Sequence, residues 1–349
     1  YQYLKMFVKM GYSVKFLGDN FLHEEPYSTT LQQMGVEILY GPGYQAGIWD
    51  WLTKNKDEID FAYLNRPHIA IKYIDFIKKN TNIKVIYYGH DLHFLREYRE
   101  YELTGDIQKK RESDYWKSIE FSLMEKAAVS YYPSYVEEEA IHAIHPEYKI
   151  RAITAYVYEK FLENIDKDFE KREGLLFVGG FAHPPNADAV LWFAKEIFPL
   201  IRQKLDVNFY VVGSKVTDEI KALEQPGSGI IVKGFVTEEE LASLYATSRI
   251  VVVPLHYGAG VKGKVVEAVY NGSAIVTTSI GSEGIPEAER VMKVADGPEA
   301  FADEVVKMYQ DPAECRRMCE ETQKYIREYF SVEAAWKVIE GDFTPEKKR

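Results

Sequence analysis

Short apolar runs rich in valine, isoleucine and aromatic residues recur along the whole chain. In the second half they are 175–179, 208–213, 229–234, 249–254, 273–278 and 290–295. In the first half they are 13–18, 36–40, 61–64, 84–89, 129–132 and 149–153. Continuous apolar strands that alternate with helices are typical of parallel sheets covered on both faces. The pattern therefore predicts an α/β protein with a doubly wound parallel sheet in each half.

Segments with a helical period fill most of the gaps between these runs. The pattern predicts one helix at 187–204 and a long helix at 115–128. Another is predicted at 238–247, where Thr237 and Glu240 have the spacing of a capping box.

The charged, apolar-poor stretch 164–174 is the predicted linker between two domains. We expect a first Rossmann-like domain at 1–166, a second at 174–330 and a final helix within 331–349. The chain begins inside a predicted helix, whereas a doubly wound half normally begins with a strand and a glycine turn. We therefore expect the first strand to have been removed or to belong to an upstream segment.

The composition narrows the class of protein. Hydrophobic residues make up 46% and charged residues 28% of the chain, which is typical of a soluble globular protein. The net charge of −11 argues against a nucleic-acid partner, which would require a basic face. Cys315 and Cys319 are too few to close a structural zinc site and are poorly spaced for a disulfide. With no apolar run that could span a membrane and no signal peptide, we expect a cytoplasmic protein.

Two lysines follow a glycine-rich loop in the second half. Lys262 and Lys264 lie in the first turn of a helix predicted at 262–270. A helix N-terminus offers free N–H groups and partial positive charge to an anion, and lysines there add full charges. Gly258 and Gly260 allow the backbone to approach a ligand closely. The loop therefore predicts an anion site large enough for a diphosphate.

Glu267 follows about one helical turn later, where its carboxylate can accept hydrogen bonds from two ribose hydroxyls. An isolated motif of this kind is more often a pair of solvated lysines, with Glu267 in an i, i+3 ion pair.

Two further glycine turns at strand exits favour the anion site. One is 178–186, where Pro185 is placed for a helix start, and the other is 279–287. The residues of the second turn expected to offer N–H groups are Gly281, Ser282, Glu283 and Gly284. Three such turns on one sheet are difficult to explain by packing alone.

The order of these motifs is similar to that in a known family. FVGGF precedes a helix, then come VVG, VKGFVTEEEL and EAVYNGSAIVTTSIGSEGI, over about 175–285. This order resembles the nucleotide-sugar-binding domain of retaining GT-B glycosyltransferases of family 4, the glycosyl transferases group 1 type. The first half matches more weakly, through YYGHDLHFL.

The resemblance implies two Rossmann-like domains that face each other across a cleft, with the last helix crossing back to the first domain. It implies transfer of a sugar from a nucleotide diphosphate donor, with retention of configuration and without a metal or other cofactor. The acceptor would be a glycan, a lipid-linked molecule or a protein, in the assembly of surface polysaccharide or protein glycan.

The resemblance also implies roles for individual residues. Glu267 would bind the ribose, Val232 and Lys233 would lie at the nucleobase, and His90 would face the donor sugar. The residues expected around the diphosphate are Lys262, Lys264, Gly179, Gly180, Gly260, Gly281, Ser282, Glu283 and Gly284. His90 and the two lysines are the expected catalytic residues.

Two departures from the family pattern change these expectations. Ala259 stands where the family has a glutamate that contacts the transferred sugar, so sugar selection must differ. GFAHPPN replaces a stretch that often contains an arginine and a lysine, and His183 and Asn186 stand there instead. We expect Lys262 and Lys264 to supply the missing charge, with a contribution from His183.

The expected chemistry depends on charge that develops on the β-phosphate of the leaving nucleotide. Fixed cations and amide dipoles aimed at that phosphate stabilise the transition state. The sequence shows no convincing pair of carboxylates for a double displacement. We therefore expect the acceptor to attack from the same face, assisted by the departing phosphate.

Three segments in the first half have more than one interpretation. The His90–His93 stretch is a poor metal site because a third ligand is lacking, and His90 near the donor sugar is preferred to an inert loop histidine. The segment 94–101 is a solvated helix, or it lines the acceptor or contacts the inner membrane leaflet. Arg66 is a solvated loop arginine or a contact to an acceptor or phosphate.

Two other functions compete with glycosyl transfer. A GT-B nucleotide-sugar epimerase would need acidic residues near the donor sugar, and Ala259 argues against that. A non-catalytic GT-B module that binds nucleotide or glycan is favoured by Ala259 and by the missing strand. The combination of Glu267, both lysines and His90 argues against such a module.

Overall fold

The computed structural model describes residues 1–163, 169–258 and 260–344, which form two units. The first unit contains Tyr1–Val157 and the chain from Val332 onward. The second contains Tyr158–Ser331. Each predicted apolar run contains a strand, and all of the strand pairs are parallel.

The described strands of the first unit fall into two sheets. One pairs β1 (Lys15–Phe16) with β2 (Glu37–Ile38), and the other has the order β3 (Phe61–Asn65), β4 (Lys84–Tyr88), β5 (Val129–Tyr132), β6 (Ile150–Ala152). The helices are α1 (Gln2–Lys9), α2 (Tyr27–Gln33), α3 (Pro42–Asn55), α4 (Pro67–Asn80), α5 (His93–Thr104), α6 (Ile107–Lys126) and α7 (Tyr135–His142).

The strand β4 explains why the apolar runs are continuous. Val85 and Tyr87 pack into the hydrophobic cluster on one side of the sheet, whereas Ile86 and Tyr88 pack into the cluster on the other. A strand buried on both faces needs apolar residues at every position.

The predicted α/β fold with parallel sheets is confirmed, and the described strands of the first unit form two hydrogen-bonded sheets rather than one. Leu17 and Leu64 pack against one cluster, and Val14 and Phe61 pack against the other, so both sheets share their apolar layers. No strand in the described part of this unit pairs with the outer edges of β1 and β3, so hydrogen bonding does not join the sheets.

The second unit has one six-stranded parallel sheet. Its order is β12 (Lys293–Val294), β11 (Ala274–Thr277), β10 (Ile250–Val253), β7 (Leu175–Val178), β8 (Phe209–Val212), β9 (Ile230–Gly234). The helices are α8 (Pro184–Trp192), α9 (Phe198–Arg202), α10 (Asp218–Lys221), α11 (Glu238–Thr247), α12 (Gly263–Tyr270), α13 (Ser279–Ser282), α14 (Pro298–Gln310) and α15 (Pro312–Tyr329). From β7 the chain adds strands toward one edge of the sheet as far as β9, and from β10 it adds them toward the other edge. The order of the strands therefore reverses between the neighbours β7 and β10. Such switch points are where open α/β sheets bind ligands, beyond the carboxyl ends of the strands.

Two helices differ from the predictions. The predicted helix 187–204 is interrupted by a π-helical turn at Phe193–Ile197. The predicted helix 115–128 extends back to Ile107, where Asp106 accepts a hydrogen bond from the N–H of Gln108 at 2.8 Å. The capping box of Thr237 and Glu240 is present as predicted.

The second unit begins earlier than the predicted linker. The N–H of Tyr158 donates to the Phe330 carbonyl at 2.8 Å, and the Tyr158 ring stacks on Tyr270 with centroids 4.0 Å apart. The linker prediction was wrong over its last part, because Phe169 and Arg172 are buried. Residues 164–168 of the predicted linker lie outside the described residues.

The last helix, α16 (Val332–Ile339), packs within the first unit. Val332, Ala335 and Ile339 are buried in the same cluster as Met6 and Phe7 of α1. This packing explains why the chain from Val332 onward belongs with residues 1–157.

A buried carboxylate from α6 caps the start of α5. Glu120 is fully buried and accepts hydrogen bonds from the N–H groups of His93 and Phe94 at 2.9 and 3.1 Å. The ring Nδ1 of His93 lies 3.2 Å from the same carboxylate. Burial lowers the pKa of His93, but the hydrogen bond to Glu120 and the charge of Asp91 outweigh it and raise the pKa. His93 is therefore part of the fold rather than of a metal site.

Replacing Glu120 with alanine should lower the free energy of unfolding by about 3 kcal/mol, because a buried ion pair loses one partner. Urea denaturation of wild type, Glu120→Ala and Glu120→Gln measures this loss. Exposed Glu125 on the same helix provides the control Glu125→Gln, which should leave stability unchanged.

The pH dependence provides a second readout of the same pair. Because folding raises the pKa of His93 above 6.5, its contribution is complete below pH 6.5 and is lost as pH rises through the folded pKa. Glu120→Gln should flatten this part of the stability curve. An unchanged slope would contradict the assigned pairing.

Candidate functional site

The lysine loop connects β10 to α12 at the switch point of the second sheet. Lys262 is the N-cap residue of α12, and the helix starts at Gly263, one residue later than predicted. No described residue accepts a hydrogen bond from the backbone N–H groups of Gly263 or Lys264. The start of this helix therefore offers donors to an anion. Ala259, in the same loop, lies outside the described residues.

The side chain of Lys264 is half-buried rather than solvated. Its ammonium donates a hydrogen bond to Oδ1 of Asn186 and lies 5.1 Å from the centroid of the Phe177 ring. Burial and the neighbouring charge of Lys262 lower the pKa of Lys264 to about 8. The lysine is therefore mostly protonated at neutral pH, but little free energy separates its two forms.

Lys262 lies in a different environment, although it is only two residues away. Its side chain is 10% exposed, and its ammonium donates to the Gly260 carbonyl and lies 3.4 Å from a carboxylate oxygen of Glu283. The contact joins the loop to the turn that follows β11. In this turn, Glu283 thus contributes a side chain, whereas the sequence had suggested a backbone donor.

The alternative interpretation of the lysine motif was wrong. Neither lysine is solvated, and no ion pair joins Glu267 to a lysine within the described residues. Glu267 is half-buried, and burial raises its pKa. No described side chain or backbone group donates a hydrogen bond to its carboxylate. It is therefore an acceptor that a ligand can use.

Tyr245 of α11 lies near this carboxylate and was missed by the sequence analysis. Its ring is 1% exposed and its hydroxyl has no partner among the described residues. Burial, followed by the charge of Glu267, raises its pKa well above the usual value. In the sequence Tyr245 is an aromatic residue in a predicted amphipathic helix, and nothing there indicates a polar role.

The first glycine turn of the second unit contacts the lysine through one side chain. Asn186, 5% exposed, donates from Nδ2 to the Gly180 carbonyl at 2.7 Å and accepts from Lys264. His183 is the N-cap residue of α8. Burial and the charges of Lys264 and Lys262 lower its pKa. At neutral pH His183 is therefore a neutral ring beside the lysines and adds no charge.

The turn after β11 differs from the expectation that its N–H groups are available. A Cβ on Gly281 would lie 1.9 Å from Oγ1 of Thr277, so only glycine fits there. The N–H of Gly281 donates to Oγ1 of Thr278 at 3.2 Å, and the N–H of Ser282 donates to the Thr278 carbonyl at 3.1 Å. Both donors are occupied. Gly284 has a left-handed φ of 74°, which glycine favours.

Val232 and Lys233, the residues expected at the nucleobase, lie at an irregularity of the sheet. Val211 pairs with Val232 but Val212 pairs with Gly234, so Lys233 is an extra residue in β9. The Lys233 ammonium lies 6.0 Å from the Tyr210 ring centroid. Phe235 follows at the carboxyl end of the strand and is 80% exposed, a degree of exposure that the sequence could not indicate.

His90 belongs to the first unit, where two strained residues follow neighbouring strands. His90 after β4 and Arg66 after β3 have left-handed φ angles of 68° and 65°. Such angles are uncommon for residues other than glycine and occur often at functional sites. Burial, followed by the charge of Arg66, lowers the pKa of His90 to about 4, so its ring is neutral near pH 7.

Two further sequence questions concern metal and membrane. No group of three or more candidate ligands that could hold a metal ion occurs within the described part of the chain. None of the helices in that part has the length and apolar character that a membrane span requires. In α5, the Arg96 side chain is 43% exposed and pairs with Asp91 and, at 3.0 Å, with the buried Glu97.

The chain is similar to known proteins in sequence and in fold. Residues 172–311 match the model of the family "Glycosyl transferases group 1". A protein of Klebsiella pneumoniae described as "Uncharacterized 44.6 kDa protein in cps region" is 32% identical over 116 residues. That match spans 32% of this chain and 30% of the relative.

Solved structures match almost the whole chain. Sucrose-phosphate synthase from Thermosynechococcus elongatus has a TM-score of 0.69 and 14% identity, over 98% of this chain and 91% of that one. HepE from Anabaena, in complex with UDP and glucose, has a TM-score of 0.66 and 14% identity, over 97% and 94%. The pneumococcal O-GlcNAc transferase GtfA, in complex with UDP and GlcNAc, has a TM-score of 0.61 and 15% identity, over 87% and 60%.

At these identities the structural matches show the fold alone. The protein has the GT-B fold, and the family match over its second unit supports a glycosyltransferase.

Proposed function

We propose that this protein is a retaining glycosyltransferase that moves a sugar from a nucleoside diphosphate donor to a glycan, lipid-linked or protein acceptor. The observation that carries the proposal is that α12 has hydrogen-bond donors at its start and a carboxylate acceptor further along. A half-buried ammonium lies at its start, beside N–H groups with no acceptor among the described residues, and a carboxylate with no described donor lies about one turn later. Diphosphate and ribose are the chemical groups that fit these two positions.

The lysine, the helix start and the loop suit the leaving group of this reaction. As the glycosidic bond breaks, negative charge develops on the β-phosphate oxygen. Preorganised cations and N–H dipoles in a partly buried site stabilise this charge without reorganisation. Lys264 is the stronger candidate for this role, because Glu283 compensates part of the charge of Lys262.

The neighbours support a uridine diphosphate donor. HepE and GtfA, which share the fold, have structures with UDP, and HepE also with UDP-glucose. The Klebsiella relative comes from a cps region, which supports a role in surface polysaccharide. Same-face attack with retention is part of the proposal, and analysis of the product anomer tests it. His90, neutral near pH 7, is proposed to contact the donor sugar.

Lys264→Ala should lower the turnover of UDP-sugar by about 10²- to 10³-fold, because one charged donor to the transition state is lost. Release of UDP measures turnover. Lys307→Ala removes a lysine whose side chain is 77% exposed on α14, and it should behave like wild type. Wild-type turnover in Lys264→Ala would contradict the assigned role.

The affinity for UDP should fall as pH rises through about 8, because Lys264 then loses its proton. The protonated lysine binds the diphosphate, so binding raises its pKa and takes up a proton above pH 8. Isothermal titration in buffers of different ionisation enthalpy measures that proton. In Lys264→Ala, both the proton uptake and the fall in UDP affinity above about pH 8 should disappear.

Glu267→Ala should remove the preference for ribose over deoxyribose. Hydrogen bonds to a charged group contribute roughly 1.5–3 kcal/mol, so wild type should bind UDP about 10- to 100-fold more tightly than dUDP. In Glu267→Ala, which has no side-chain acceptor, this ratio should approach one, whereas diphosphate binding persists. Equal affinity of wild type for both nucleotides would place the ribose elsewhere.

The competing functions give different results in these assays. A non-catalytic module would bind UDP with the same pH dependence of affinity, but it would release no UDP from a UDP-sugar donor. An epimerase would convert the sugar without an acceptor and would keep the new sugar on the nucleotide.

A further inference from the structure

We propose that Asn186 is a positioning residue, whose neutral amide holds Lys264 at the first glycine turn and leaves its charge available to the donor diphosphate. The inference rests on the proposed function and assigns a role to a residue that no sequence motif explains. Asn186 does not need to touch the ligand in order to act in this way.

Both ends of the Asn186 amide are occupied. Nδ2 donates to the Gly180 carbonyl at 2.7 Å, and Oδ1 accepts from the Lys264 ammonium. A carbonyl can only accept and an ammonium can only donate, so the two partners determine which end of the amide faces which. The side chain is 5% exposed and is thus held in one orientation.

The neighbouring glycine makes room for this amide. A Cβ on Gly179 would lie 3.0 Å from both Cγ and Nδ2 of Asn186, closer than most real contacts. At Gly180 the nearest atom to an added Cβ is Oγ of Ser214 at 3.5 Å, an ordinary contact. The absence of a side chain at Gly179 therefore serves the position of Asn186.

The two lysines of the loop differ in what faces their charge. Glu283 lies 3.4 Å from the ammonium of Lys262, so that charge is partly compensated. Lys264 has no carboxylate partner within the described part of the chain, and its neighbours are a neutral amide and an aromatic ring. Asparagine orients the ammonium without neutralising it, which an aspartate at this position could not do.

Substitution by aspartate tests this difference with almost no change in volume. Asn186→Asp keeps an acceptor for Lys264 but adds a negative charge and removes the donor to Gly180. We expect the pKa of the lysine to rise by one unit or more and the affinity for UDP to fall at least tenfold. Asn186→Ala should instead release the lysine and lower kcat by roughly 10- to 100-fold, as misplaced catalytic groups do.

The lysine can be observed without any nucleotide. The pH dependence of acetylation of Lys264 by acetic anhydride, followed by peptide mass spectrometry, measures its pKa in each variant. Gly179→Ala, which displaces the amide, should change the reactivity of Lys264 in the same direction as Asn186→Ala. Asn80→Ala removes an exposed amide at the end of α4 and is the control.

The outcomes separate this inference from the proposed function. If wild type binds no nucleotide and releases none, the proposed function fails, and the acetylation profile still shows whether Asn186 controls Lys264. If wild type binds UDP but the Asp and Ala variants keep the wild-type Lys264 profile and UDP affinity, the role of Asn186 is refuted. Loss of stability in Asn186→Ala alone, with an unchanged Lys264 pKa in folded Asn186→Asp, would also refute it.

Discussion

The candidate site depends on one constraint, which is that the Lys264 ammonium is half-buried with no carboxylate of the described residues beside it. Burial disfavours the charged form, and the neighbouring Lys262 adds repulsion. The hydrogen bond to Asn186 and the ring of Phe177 offset only part of this cost. An anion at the start of α12 would offset more of it. In the proposed function, the diphosphate of the donor supplies this anion.

Both units hold their polar groups in place with buried partners from other elements. In the first, Glu120 of α6 supplies the cap that α5 lacks in its own sequence. In the second, Asn186 of α8 holds the lysine of α12. In each case a polar side chain is positioned by an apolar sheet and by helices packed on it, so the stability of the core sets the precision of the site.

Much of the local structure followed from the sequence. The apolar runs predicted the strands, because strands buried on both faces need uninterrupted apolar residues. The capping box at Thr237 predicted the start of α11 because both of its hydrogen bonds form within one turn. The polar start of α6 and the division of the first sheet were not predicted, since the former lacks an apolar period and the latter depends on strand pairing.

By itself, the sequence determined the α/β class, the glycine turns at the strand exits, and the positions of Lys262, Lys264 and Glu267 at the start of one helix. These features depend on periodicity and on residues close together in the chain. Tertiary structure alone decided that Asn186 meets Lys264 from 78 residues away and that Glu283 compensates Lys262. Such partners are chosen by the packing of whole elements, which no local pattern encodes.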